Sequence, residues 1–112
     1  MATASSDVHP RKMNLPIACT LSDAERALAS DELLSGLMRE ARAVEPEGEG
    51  YRATFSGVPG RVTRVARVIE RERGCCKFLM FDLHASANDG DIVLTMSGPP
   101  GTRDVLDTLM AS

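Results

Sequence analysis

Apolar and polar positions alternate from Leu15 to Leu21. Leu15, Ile17, Cys19 and Leu21 fall on one side, and Pro16, Ala18 and Thr20 on the other. A period of two over so short a run predicts a strand. Ser22 followed by Glu25 predicts a helix start, because the hydroxyl accepts an early backbone N–H and the carboxylate reaches back. Leu28, Leu34, Leu37, Met38 and Ala41 then recur at helical spacing, with Ser30-Asp31-Glu32 marking a kink or a fresh start. Val44-Glu45-Pro46 and Tyr51 to Phe55 flank Glu47-Gly48-Glu49-Gly50, the pattern of a hairpin. Beyond the break at Ser56-Gly57-Val58-Pro59-Gly60, Val62, Val65, Ala66 and Ile69 make one apolar stripe of a second helix. Arg61, Arg64, Arg67 and Arg71 lie elsewhere on that helix, and Gly74 is its expected stop. Phe78 to His84 and Asp91 to Met96 are further strands around the turn residues Asn88-Asp89-Gly90. Pro99-Pro100-Gly101 breaks the chain again, and Val105, Leu106, Leu109 and Met110 predict a short terminal helix.

The element order is β-α-β-β-α-β-β-α. Its first six elements match the split βαβ, ferredoxin-like arrangement. The expected fold class is α+β: an antiparallel sheet of four to five strands, packed on one face by two long helices and a short C-terminal helix. Residues 1–14 read as a disordered polar tail and 15–112 as a single α+β domain. A length of 112 residues fits one hydrophobic core.

Composition narrows the function classes. A hydrophobic content of 43% and a charged content of 26% are those of a globular chain. The net charge of -3 gives no global attraction to nucleic acid or anionic membrane. Tyr51, Phe55, Phe78 and Phe81 are too few aromatics for a base-stacking surface. No apolar run approaches the roughly 20 residues of a membrane helix. The N-terminal stretch has no signal-peptide core, so the expected location is cytoplasmic, where thiols stay reduced.

The pointed chemistry lies in three cysteines, Cys19, Cys75 and Cys76. An odd number does not make a disulfide scaffold. In the split βαβ arrangement the first and fourth strands are antiparallel neighbours, which would gather all three sulfurs at one corner. Thiolates select soft ions, so a trigonal site for a mercury, arsenic or copper type of ion is the expected cofactor. Zinc is less well served. Its structural sites use a C-x₂₋₄-C spacing, and His84 lies at the far end of its strand. Cys19 precedes a helix N-terminus, which favours a thiolate there. A redox reading therefore competes, with Cys19 attacking and Cys75 or Cys76 resolving. A third reading keeps the cysteines as small core residues of an interaction module. Its partner arrangement would be a homodimer pairing exposed sheet edges. The reading taken here is metal binding, with no catalytic residue assigned and a metal ion or metal-handling protein as partner.

The stretch Gly74-Cys75-Cys76-Lys77-Phe78-Leu79-Met80-Phe81, with Ile17-Ala18-Cys19-Thr20-Leu21 and Leu94-Thr95-Met96-Ser97-Gly98-Pro99, resembles a largely uncharacterised family of small bacterial proteins with a Cys-Cys-x-Phe-Leu-x-Phe core. The resemblance covers most of the chain after Asn14. It implies a link to heavy-metal resistance and carries over Cys19, Cys75 and Cys76. Lys77 departs from the Pro expected after the cysteine pair.

Other features read as ordinary. The arginines of the second helix are a solvated face interrupted by Glu70 and Glu72. Ser97-Gly98-Pro99-Pro100-Gly101 lacks the Lys of a phosphate loop. His9 is a tail residue, and the six Met residues are core filler. Asp82 and Glu72 are candidate outer groups for the thiol corner.

Overall fold

A computed structural model describes residues 21–111. The predicted strand at Leu15–Leu21, apart from Leu21 itself, and the predicted tail lie outside the described residues. Ser22 and Glu25 form the expected capping box. Glu25 N–H donates to Ser22 Oγ at 3.2 Å, and Ser22 N–H to Glu25 Oε1 at 2.8 Å. They open helix α1, Asp23–Leu28. Ser22→Ala should cost about 1 kcal/mol of local stability. The expected readout is faster amide exchange confined to α1.

The first predicted long helix is broken, which corrects the expectation of two long helices. A 3-10 turn at Ser30–Glu32 follows α1, and Leu33 is extended before helix α2, Leu34–Met38. The break changes which residues face inward. Leu33, Leu34 and Leu37 are buried, whereas Leu28 is 92% exposed. Among the described residues the one long helix is α3, Arg61–Cys75, and helix α4 spans Thr102–Met110. Gly74 lies inside α3, so the helix runs to Cys75 before it stops.

The strands are β1, Ala43–Glu47; β2, Gly50–Phe55; β3, Met80–Ala85; and β4, Ile92–Ser97. They form a four-stranded antiparallel sheet in the order β1-β2-β4-β3. The class is thus α+β, as expected. The strand order is not that of the split βαβ arrangement, which places the chain's first strand between its third and fourth. Here β4 occupies the place between β2 and β3. Asn88 and Asp89 both adopt φ 57°, so the chain reverses tightly and pairs β3 with β4, and the other edge of β4 pairs with β2. The strand expected to bring Cys19 beside Cys75 and Cys76 lies outside the described residues.

One sheet face carries the core. Along β4, Ile92, Leu94 and Met96 are buried and alternate with half-buried Val93, Thr95 and Ser97. Ala53, Phe55, Val65, Val68 and Leu106 complete the apolar layer under the helices. The outer strands are less covered. Met80 is 59% exposed and Leu83 36%, so Met80 is not the core filler expected of it. Among the described residues, no helix is long and apolar enough to cross a membrane.

Candidate functional site

The inward stripe of α3 is Val65, Val68, Glu72 and Cys75, a spacing of one helical face. A carboxylate in such a stripe is unfavourable unless it is paired and hydrogen-bonded. Glu72 is both. Arg26, the buried residue of α1, forms a two-pronged ion pair with it. Nη1 donates to Oε1 at 3.1 Å and Nη2 to Oε2 at 2.8 Å. The two side chains are 2% and 0% exposed. The backbone N–H of Leu34 donates to Oε2 at 2.9 Å, so the start of α2 is tied to the same carboxylate. Burial pushes the Glu72 carboxyl up. The Arg26 and Leu34 hydrogen bonds, the Arg26 charge and the Cys76 thiol outweigh it and hold Glu72 below the usual carboxylate range.

Both thiols turn toward this carboxylate. Cys75 Sγ lies 3.5 Å from Glu72 Oε1 and 3.5 Å from the Arg71 carbonyl oxygen. Cys76 Sγ lies 3.4 Å from the same Oε1. Arg26 Nη1 approaches Cys75 Sγ at 3.9 Å. On a strand, neighbouring side chains would point to opposite faces. Cys75 instead ends α3 and Cys76 caps it with φ -119° and ψ 77°, so both sulfurs reach one oxygen. The cap is held by the Cys76 N–H donating to the Glu72 carbonyl at 2.6 Å. Neither cysteine is in a disulfide, and both are buried. Cys76 also lines an open groove between the end of α3, Phe78 and the Gly98-Pro99 turn, while the residue itself is 0% exposed.

Donor atoms of Glu72, Cys75 and Cys76 all lie within 4.8 Å of one another. Among the described residues this is the only cluster of metal-ligating side chains with such a spacing. Metal–sulfur bonds of about 2.3 Å place two sulfurs about 3.8 Å apart at the tetrahedral angle and about 4.6 Å apart when opposed. The pair therefore suits a shared ion with small side-chain adjustments.

Of the three expected metal ligands, Cys75 and Cys76 are brought together, and Cys19 lies outside the described residues. Glu72, expected as an outer group, stands among the donors. Asp82 and His84 are exposed on β3 and take no part in the cluster. Arg26 was not anticipated. The signal pointing to a partner was Glu72 itself, a charge on the apolar side of α3. Some arginines of α3 bind surface acids instead. Arg64 pairs with Glu40 at 2.9 Å, and Arg71 pairs with Glu32. No protein-family model, curated protein or solved structure matches the chain.

Proposed function

We propose that this chain is a small cytoplasmic thiol protein that binds a soft metal or metalloid ion through Cys75 and Cys76, with Glu72 beside them and Cys19 as a candidate third thiolate. One observation carries the reading: two cysteine thiols and a carboxylate, all buried, converge within 4.8 Å. Soft sulfur donors select thiophilic ions over hard ones. The resemblance to bacterial proteins associated with heavy-metal resistance agrees with this chemistry. The role would be that of a scavenger, sensor module or metallochaperone that exchanges its ion with a metal-handling protein.

The test is a titration of the reduced protein with Hg(II), As(III), Cu(I) and Zn(II), followed by ligand-to-metal absorption and melting temperature. A one-to-one complex should form and should be lost in Cys75→Ser/Cys76→Ser. At free ion about a hundredfold above Kd, binding should stabilise the native state by about 2.7 kcal/mol. For a chain of this size that raises the melting temperature by about 10 °C or more. A protein that binds no ion stoichiometrically, or binds equally well without both thiols, would refute the reading. A second reading, an interaction module with structural cysteines, draws on the edge strand β3, where Met80 and Leu83 are exposed. It requires the serine variants to keep self-association or partner binding intact.

A further inference from the structure

The groove beside the end of α3 has a volume of about 910 Å³, within the range of small-molecule sites. Its lining is mainly apolar. Ile69 comes from α3, Phe78 and Leu79 from the turn before β3, Met80 and Phe81 from the start of β3, and Pro99 from the facing turn. Hydrogen bonds fix both walls. The Pro99 carbonyl accepts from the Thr102 N–H at 3.1 Å and from Thr102 Oγ1 at 2.6 Å. Opposite, the Leu79 N–H donates to the Cys76 carbonyl at 3.2 Å. A groove with fixed walls needs little reordering to take a ligand. Met80 still leaves 59% of its surface in water, apolar area that a ligand would cover.

The charge on this groove has one sign. Arg73, in the last turn of α3, and Lys77, just beyond its cap, both line it, and none of its lining residues is acidic. Neither cation is in an ion pair among the described residues. The carbonyl end of α3 carries about half a negative charge, so two cations leave the rim positive. The groove along the α3 arginines differs, because there Glu40 pairs with Arg64 and Glu32 with Arg71.

We propose that the groove beside α3 binds a medium-chain carboxylate, with its tail on Phe78, Met80 and Phe81 and its head toward Arg73 and Lys77. A guanidinium can meet a carboxylate with two parallel hydrogen bonds, and Lys77 adds a second charge. The alkyl stems of both cations extend the apolar lining. Inorganic phosphate would leave the apolar floor wet, and an uncharged chain would leave both cations unused. The inference goes beyond the metal-binding reading and does not depend on it.

The test is a titration of the full reduced chain with octanoate at pH 7, followed by amide chemical shifts. Octanoate should bind one-to-one and shift the amides of Phe78 to Phe81, Ser97 and Gly98. 1-Octanol has the same chain without the charge and should bind about fivefold more weakly, the scale of two exposed ion pairs. Octylamine, a cation at this pH, should bind more weakly still. The preference for octanoate over 1-octanol should shrink at high salt. Arg73→Gln/Lys77→Gln should abolish that preference and leave 1-octanol binding in place, and both side chains are exposed, so the fold should persist. Met80→Glu, at another exposed position, should weaken octanoate more than 1-octanol. The proposal is overturned if octanoate leaves these amides unmoved, if the three ligands bind equally, or if the double variant keeps the preference. Inorganic phosphate binding as tightly as octanoate would also overturn it. So would concentration-dependent shifts of the same amides without ligand, which would seat a second copy of the chain in the groove.

Discussion

Arg26→Met will destabilise the protein by about 3–5 kcal/mol at neutral pH, measured by urea or thermal unfolding. The loss comes from the charge left behind more than from the contact removed. Glu72 is 0% exposed, and without Arg26 its carboxylate keeps only the Leu34 N–H and the thiols. The pH dependence separates this cause from lost packing. In the wild type the folded-state carboxyl sits below its ordinary value of 4.5. Its contribution to stability is therefore fully present above that value and is lost as pH falls through the lower, folded value. In the variant burial dominates and raises the folded value. The variant then gains stability, relative to the wild type, as pH falls from 7 toward 5. The gap between the two proteins should narrow over that window. Arg26→Met/Glu72→Gln removes the stranded charge while leaving an acceptor for Leu34, and it should recover more than half of the loss. A gap that stays constant with pH, or a double variant no better than the single one, would mean that Arg26 acts through packing.

The same ion pair shows which parts of this protein were legible in its sequence. Elements defined by neighbours in the chain were readable. The Ser22–Glu25 box, the Glu47–Gly50 hairpin and the Asn88-Asp89 turn all appear where local chemistry placed them. Each depends on hydrogen bonds or dihedral preferences within a few residues. The strand order was not readable, because the period-two pattern of β4 does not say which strands flank it. A central strand between β2 and β3 and a strand at an edge have the same alternation. The break before α2 was only half visible. Ser30-Asp31-Glu32 marked it, but the rotation that exposes Leu28 and buries Leu33 is set by how α2 seats against α3.

The site divides in the same way. Cys75 and Cys76 were recognisable as a pair, and Glu72 lies one helical turn before them. Arg26 is 46 residues away from Glu72 and on a helix whose other described side chains are largely exposed. Nothing local to α1 distinguishes Arg26 from a surface arginine. Only the break after α1 lets the helix turn that side chain into the cluster, so the partner of the charge follows from tertiary structure. One consequence is that the thiol cluster and the α1–α3 packing stand or fall together. Anything that removes Glu72 or Arg26 alters the environment of both sulfurs at once.

Gly50→Ala will be the most damaging conservative change in the sheet, costing about 4 kcal/mol or more. Gly50 opens β2 and is buried, and a Cβ built there would overlap the backbone carbonyl oxygen of Met96 in β4. A flexible side chain could yield, but this oxygen belongs to the central strand and is fixed by pairing on both sides. The strain can be relieved only by parting β2 from β4, which opens the layer containing Ala53, Phe55, Leu94 and Met96. Arg103 resists that movement as well, because its guanidinium donates to the Gly48 and Gly50 carbonyls at 2.6 Å and 3.2 Å. Two residues earlier the expectation reverses. Gly48 has φ 55° and no atom within 4 Å of an added Cβ, and Asn tolerates that left-handed conformation. Gly48→Asn should therefore change stability by less than about 1 kcal/mol. Urea unfolding of the two variants side by side tests the contrast. Equal midpoints would show that the β2–β4 seam is looser than the close approach of Gly50 to Met96 requires.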